Sequence, residues 1–240
     1  MFVRIKHCVL VVGLIIGTLS VFPSYSRCEV LVFDRVTTVD TPVRITVLTK
    51  GRFFSEGGRR VDIYLDEDHF QKILTGGDGY GYLKYTPHSA GFKYVTARSK
   101  RDKADGLILV MGKNEKAILI EIEGAFKYAL MSENIRENSQ QAVEKLSKTY
   151  KIIYLSKYAG KGISREWLDR EQFPKSVILR WRGPGMLTGL KDKGVQLHAV
   201  IGSAALISSA EKHVENRYTF EKSQKATTVN DWDEILKLLQ

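Results

Sequence analysis

Cysteine is nearly missing from this chain. Cys8 and Cys28 are the two it has in 240 residues. Cys8 lies in an N-terminal segment that reads as removable, which leaves one thiol and no internal disulfide. Stability then rests on hydrophobic cores rather than covalent staples. Metal-ligand spacing is missing too. His69, His88, His198 and His213 fall into no ligand pattern. Asp66, Glu67, Asp68 and Asp78 lack the spacing of a calcium loop and read as a solvated turn. The basic cluster R-S-K-R-D-K at 98–103 has no aromatic residue interleaved with it, so it reads as a solvated loop and not as a nucleic-acid patch. The N-terminal apolar run, residues 9–21, is short for a full membrane span.

The rest of the composition is that of a globular protein, 43% hydrophobic and 27% charged. It suits one or two domains with sizeable cores. The net charge of +10 favours anionic partners, phosphates and acidic lipid headgroups among them. Residues 1–26 read as a secretory signal. Arg4 and Lys6 give a positive start, the apolar run follows, and Ser24-Tyr25-Ser26 supplies the small residues of a cleavage site. An uncleaved anchor is the competing reading. Arg27 directly before Cys28 argues against a lipoprotein signal. The expected location is therefore the periplasm or the cell exterior.

From residue 27 to 111 the signals are those of strands. V-L-V-F at 30–33 is a compact apolar run, while V-R-I-T-V at 43–47 and V-D-I-Y-L at 61–65 alternate with period two. T-G-G-D-G at 75–79 is a turn, followed by Y-G-Y-L-K-Y at 80–85 and an alternating stretch at 91–97. No convincing helix intervenes, and short strands at this spacing predict an all-β sandwich. The stretches R-R-V-D-I-Y-L-D, T-G-G-D-G-Y-G-Y-L-K-Y-T-P and A-G-F-K-Y-V-T-A resemble the Ig-like and transthyretin-like modules of secreted bacterial proteins. That resemblance implies a fold and no activity.

Residues 112–240 follow a different grammar. A-I-L-I-E-I-E-G-A at 117–125 reads as a buried parallel strand ending in Glu121 and Glu123. Helices are expected at 133–150, 163–171, 204–214 and 231–239, with Asn230 as the last cap. Strands are expected at 152–155, 176–179, 197–201 and 218–220. Such alternation predicts a doubly wound parallel sheet, an α/β domain with its ligand crevice at the strand C-termini. A fragment covering 112–240 is expected to fold alone.

Four stretches of this half resemble the haloacid-dehalogenase superfamily, and within it the lipin-type phosphatidate phosphatases. They are I-L-I-E-I-E-G-A, Y-K-I-I-Y-L-S with R-E-W-L-D-R-E-Q-F-P, G-L-K-D-K-G, and V-I-G-S. The resemblance implies that Glu121 stands at the position of the nucleophile and Glu123 at that of the acid/base. It places Ser156 as the phosphate-binding hydroxyl and Lys191, with Lys193 as the alternative, as the phosphate lysine. Ala125 and Ser203 stand where the family has threonine and a magnesium-binding aspartate. Each Asp-to-Glu change moves a carboxylate by about one C–C bond, and a misplacement of about 1 Å can cost on the order of 10²-fold in rate. The expected protein is thus a degenerate, non-catalytic phosphatase-like domain with no cofactor. It binds a phosphate-bearing or anionic ligand such as a lipid headgroup, or an envelope protein, and not nucleic acid. The rival is a magnesium-dependent phosphomonoester or phosphatidate phosphatase using Glu121, and the third reading is a purely structural envelope protein.

The export reading makes a direct prediction. N-terminal sequencing of the protein from its native source should begin at Arg27; a chain still starting at Met1 would refute cleavage.

Overall fold

Residues 106–111, G-L-I-L-V-M, carry an uninterrupted apolar run into a strand that is buried on both faces. In the computed structural model, which describes residues 29–51, 54–127 and 134–240, this strand joins two layered bodies. The segment read as a signal and Cys28 lie outside the described residues. No helix among the described residues is long and apolar enough to cross a membrane.

The first body is a β-sandwich. One sheet holds β1 (Glu29–Val32), β3 (Val43–Lys50) and β6 (Tyr80–Tyr85) in the order β1-β3-β6. The other holds β2 (Arg35–Thr38), β4 (Arg60–Leu65), β5 (Asp68–Leu74), β7 (Gly91–Ser99) and β8 (Asp102–Met111) in the order β2-β8-β7-β4-β5. The period-two stretches place Val43, Ile45, Val47, Val61 and Ile63 in the core between the sheets. β2, β5 and β8 were not distinguished in the sequence. β5 escaped because almost all of it is exposed, so it carries no alternation. Asp66 and Glu67 form the β4–β5 turn at φ 49° and 76°, and Asp78 accepts from the Tyr80 backbone N–H, so these acids are turn residues.

The second body is the α/β region. Its parallel sheet runs β11 (Val177–Arg180), β10 (Lys151–Ser156), β9 (Lys116–Glu121), β12 (Gln196–Ile201), β13 (Asn216–Thr219), β14 (Thr227–Thr228). α1 (Ser139–Ser147), α2 (Lys161–Arg170) and α5 (Trp232–Leu239) contribute to the core on one face, where Phe126 is ringed by Tyr154, Trp167, Phe173 and Trp232. α3 (Gly185–Asp192) and α4 (Ala204–Ala210) pack on the other. Several boundaries differ from expectation. α1 starts only after Asn138, which sits at φ 60° and breaks the helix there, and residues 128–133 lie outside the described set. α4 stops at Ala210. The final helix is capped by Asp231, which accepts from the Glu234 N–H, while Asn230 donates its own N–H to the Glu234 carboxylate. α3 was hidden because its sequence, with Gly185 and Gly189, reads as a loop.

The two bodies share a core. Ile108 and Val110 of β8 point into the sandwich, whereas Leu107, Leu109 and Met111, with Val36 of β2, pack against Leu119, Ile153, Leu155, Val177, Leu187 and Val200. A fragment 112–240 would leave that face of its core uncovered, which runs against its expected independence. A buried carboxylate locks the joint. Asp34, between β1 and β2, has a fully buried side chain. Its Oδ1 accepts from the Leu107 N–H at 2.9 Å and meets Lys161 Nζ at 2.7 Å. Its Oδ2 accepts from the Ile178 N–H at 2.9 Å and from Arg165 Nη2 at 2.7 Å. Lys161 also donates to the carbonyls of Val32 and Asp105, and Arg165 to that of Ser176. Burial pulls the Lys161 pKa below its ordinary value, and Asp34 acts against that pull. Gly106 is required here, because a Cβ would sit 2.5 Å from Val32 Cγ1.

Asp34→Asn keeps the shape but strands two cations. Breaking a buried pair from one side costs about 3–5 kcal/mol, so the urea midpoint should fall by that equivalent. An unchanged midpoint would show that the clamp contributes nothing.

Candidate functional site

The crevice expected of a parallel sheet lies at the C-terminal ends of β9, β10 and β12. β9 ends at Glu121, and a single π-helical turn, Ile122–Phe126, follows at once. Phe126 anchors that turn in the aromatic cluster, and Trp232 Nε1 donates to the Ala125 carbonyl. The turn therefore fixes where Glu123 points. Leu155 is in register with Glu121, and Ser156, one residue further along β10, reaches the Glu123 carboxylate.

Glu121 is 3% exposed, and its Oε2 accepts from the Ser203 backbone N–H at 2.6 Å. The carboxylate fits only because glycines flank it. A Cβ on Gly202 would lie 2.7 Å from Oε2, and one on Gly124 would also lie 2.7 Å from it. The Ser203 hydroxyl is buried without a hydrogen-bond partner. Where a carboxylate would be needed for a metal, this position offers a neutral oxygen.

Glu123 occupies an anion cradle. Its Oε1 accepts from Ser156 Oγ at 3.1 Å and from the backbone N–H groups of Lys157 at 3.2 Å, Tyr158 at 3.1 Å and Ala159 at 3.4 Å. Oε2 shares the Lys157 N–H at 3.2 Å. Successive N–H groups converging with a hydroxyl make the concavity that commonly holds a phosphate or carboxylate. Here the chain's own side chain fills it. The Ala159 carbonyl, 2.9 Å from Ser156 Oγ, shares that hydroxyl's one proton with Glu123, and Ser164 Oγ donates to Ser156 Oγ.

Glu121, Glu123 and Ser156 thus lie at the same end of the sheet. Lys191 does not join them. It is exposed in the last turn of α3, and α3 runs from the C-terminal side of β11 back to the start of β12, so Lys191 sits toward the opposite edge of the sheet. Lys193 points elsewhere as well, with Nζ 3.4 Å from the Val36 carbonyl. The cation beside the acids is Lys157, which the sequence reading passed over although it directly follows Ser156. Its contact with Tyr158 holds its pKa above the usual value, and the charges of Glu121 and Glu123 add smaller contributions.

A magnesium ion would want near-octahedral oxygen ligands. Glu121 and Glu123 already have oxygens committed to backbone N–H groups, Ser203 brings no charge, and no cluster of three metal-ligating side chains exists among the described residues. The donor set does not fit that ion.

No protein-family model matches the chain, and no curated protein sequence matches it. Solved structures with some likeness are β-sandwich domains. The CARDB domain of a Pyrococcus furiosus protein is 15% identical, with 35% of this chain and 94% of that one covered at a TM-score of 0.29. A Clostridium thermocellum CbhA fibronectin(III)-like module is also 15% identical, covering 35% and 97% at 0.25. The D0-D1 domain of intimin is 14% identical, covering 36% and 49% at 0.28.

Removing the plug tests the cradle. Glu123→Ala should lower stability by about 1 kcal/mol, the scale of hydrogen bonds lost at a part-buried site. Added phosphate should then raise the melting temperature of the variant more than that of the native chain. Equal responses of the two would mean that Glu123 blocks nothing.

Proposed function

We propose that this is an exported binding or scaffolding protein. In this reading its α/β region is a catalytically silent relative of the haloacid-dehalogenase phosphatases, set on an Ig-like sandwich. The observation that carries it is Glu123 seated in the Ser156–Ala159 cradle, where a substrate phosphoryl group would have to sit. Glu121 is held by the Ser203 N–H between two glycine backbones. A nucleophile so constrained has no freedom for in-line attack, and no lysine from α3 reaches it to neutralise a transferring phosphoryl group. The positive net charge and the extensive shared core support a rigid body that presents surfaces to an anionic ligand or an envelope partner.

The decisive assay is hydrolysis of p-nitrophenyl phosphate and of phosphatidate with magnesium present. Turnover should equal the uncatalysed background. Activity that Glu121→Gln abolishes would instead establish the magnesium-dependent phosphatase reading with Glu121 as nucleophile.

A further inference from the structure

Away from the crevice, cations gather where the sandwich meets the α/β region. On the outer face of the three-stranded sheet, Arg44 stands directly opposite Lys84 across the β3–β6 pair. Like charges in that position repel and lower the stability of the sheet. Arg35 leans across from β2, donating from Nε to the Arg44 carbonyl at 3.1 Å and from Nη2 to Thr46 Oγ1 at 2.8 Å. Lys193, just past α3, donates to the Val36 carbonyl beside it. Among the described residues none of Arg35, Arg44, Lys84, Arg182 and Lys193 forms an ion pair with a carboxylate.

These groups sense one another. The Arg35 pKa is lowered first by burial and then by Arg44 and Arg182, with Asp34 opposing. That of Lys193 is lowered by burial, then by Arg35 and Arg44. A second feature lies on the same face. Phe33, Tyr80 and Tyr82 form a run of near-parallel rings, with centroids 6.2 Å and 6.1 Å apart. Arg35 sits 5.8 Å from the Phe33 centroid and Arg44 4.7 Å from that of Tyr82. The rings hold two guanidinium planes in place by cation–π contact, leaving the remaining N–H donors for a planar or tetrahedral oxyanion.

We propose that Arg35, Arg44, Lys84 and Lys193 form a recognition site for a ligand bearing phosphate or sulfate oxyanions. Uncompensated cations placed against one another raise the energy of the free protein, and an oxyanion relieves that repulsion while accepting charge-assisted hydrogen bonds. The inference deepens the binding reading by assigning its anionic ligand to this face instead of the crevice. The two fail separately: phosphatase turnover would sink the non-catalytic reading and leave this site untouched.

The experiment has two arms. Calorimetry with inorganic phosphate and sulfate probes a free oxyanion, and co-sedimentation with phosphatidylcholine vesicles with or without phosphatidylglycerol probes a lipid headgroup. Binding in the first arm alone assigns a soluble ligand, and binding in the vesicle arm assigns a headgroup. Arg44→Gln with Lys84→Gln should weaken whichever binding is seen by about tenfold or more. Lys193→Gln, at the end of α3 and outside the sandwich, should weaken it in the same direction and so separates charge from any effect on the sandwich. Lys100→Gln with Arg101→Gln removes the same charge from the exposed β7–β8 turn and should change binding by less than about twofold. No binding in either arm, or an equal loss in the turn variant, overturns the proposal.

Discussion

A buried carboxylate with two cations is an expensive object, because desolvation of the charges must be recovered by geometry. Asp34 recovers it by using both oxygens twice, each for one backbone N–H and one cation. The two backbone donors belong to different bodies, Leu107 to the sandwich and Ile178 to the parallel sheet. A change in the relative position of the bodies would break at least one of these four contacts and leave charge buried without a partner. The apolar packing of β8 supplies area without direction; Asp34 supplies the direction.

That division of labour explains what the sequence could and could not show. The strand-rich half and the alternating half were legible because periodicity records burial on one face or two, as at residues 43–47 and 117–120. The joint between them was partly legible. The unbroken run L-I-L-V-M at 107–111 has the pattern of a strand covered on both faces, yet β8 went undistinguished in the sequence and the domain boundary was expected directly after it. Asp34 itself was not legible. A single acid between two short apolar runs looks like a turn residue, and its partners Lys161 and Arg165 lie more than a hundred positions away.

The crevice shows the limit of spacing as a guide. The apolar run placed Glu121 and Glu123 at a strand end, and the family resemblance added Ser156 at the end of the neighbouring strand. Neither could give the side-chain outcome. Glutamate has one more methylene than aspartate, and that reach lets Glu123 bridge to the loop after β10 and satisfy its N–H groups. Lys191 was misplaced for a different reason. It was assigned by resemblance alone, and with α3 unrecognised nothing in the sequence showed that a helix carries it toward the far edge of the sheet.

Charge is consequently sorted across the molecule. The crevice holds two carboxylates, and the anion cradle within it is already satisfied by one of them. The cations of the proposed site, which form no ion pair among the described residues, come from both bodies: Arg35, Arg44 and Lys84 from sandwich strands, Lys193 from the end of α3. Asp34 and Arg35 are adjacent in the chain and point opposite ways, one into the clamp and one onto the cationic face. The interaction that fixes the two bodies therefore also fixes the spacing of the cations drawn from each. An oxyanion bridging them would find the geometry already set, with the repulsion among the cations sustained by the buried clamp beneath them.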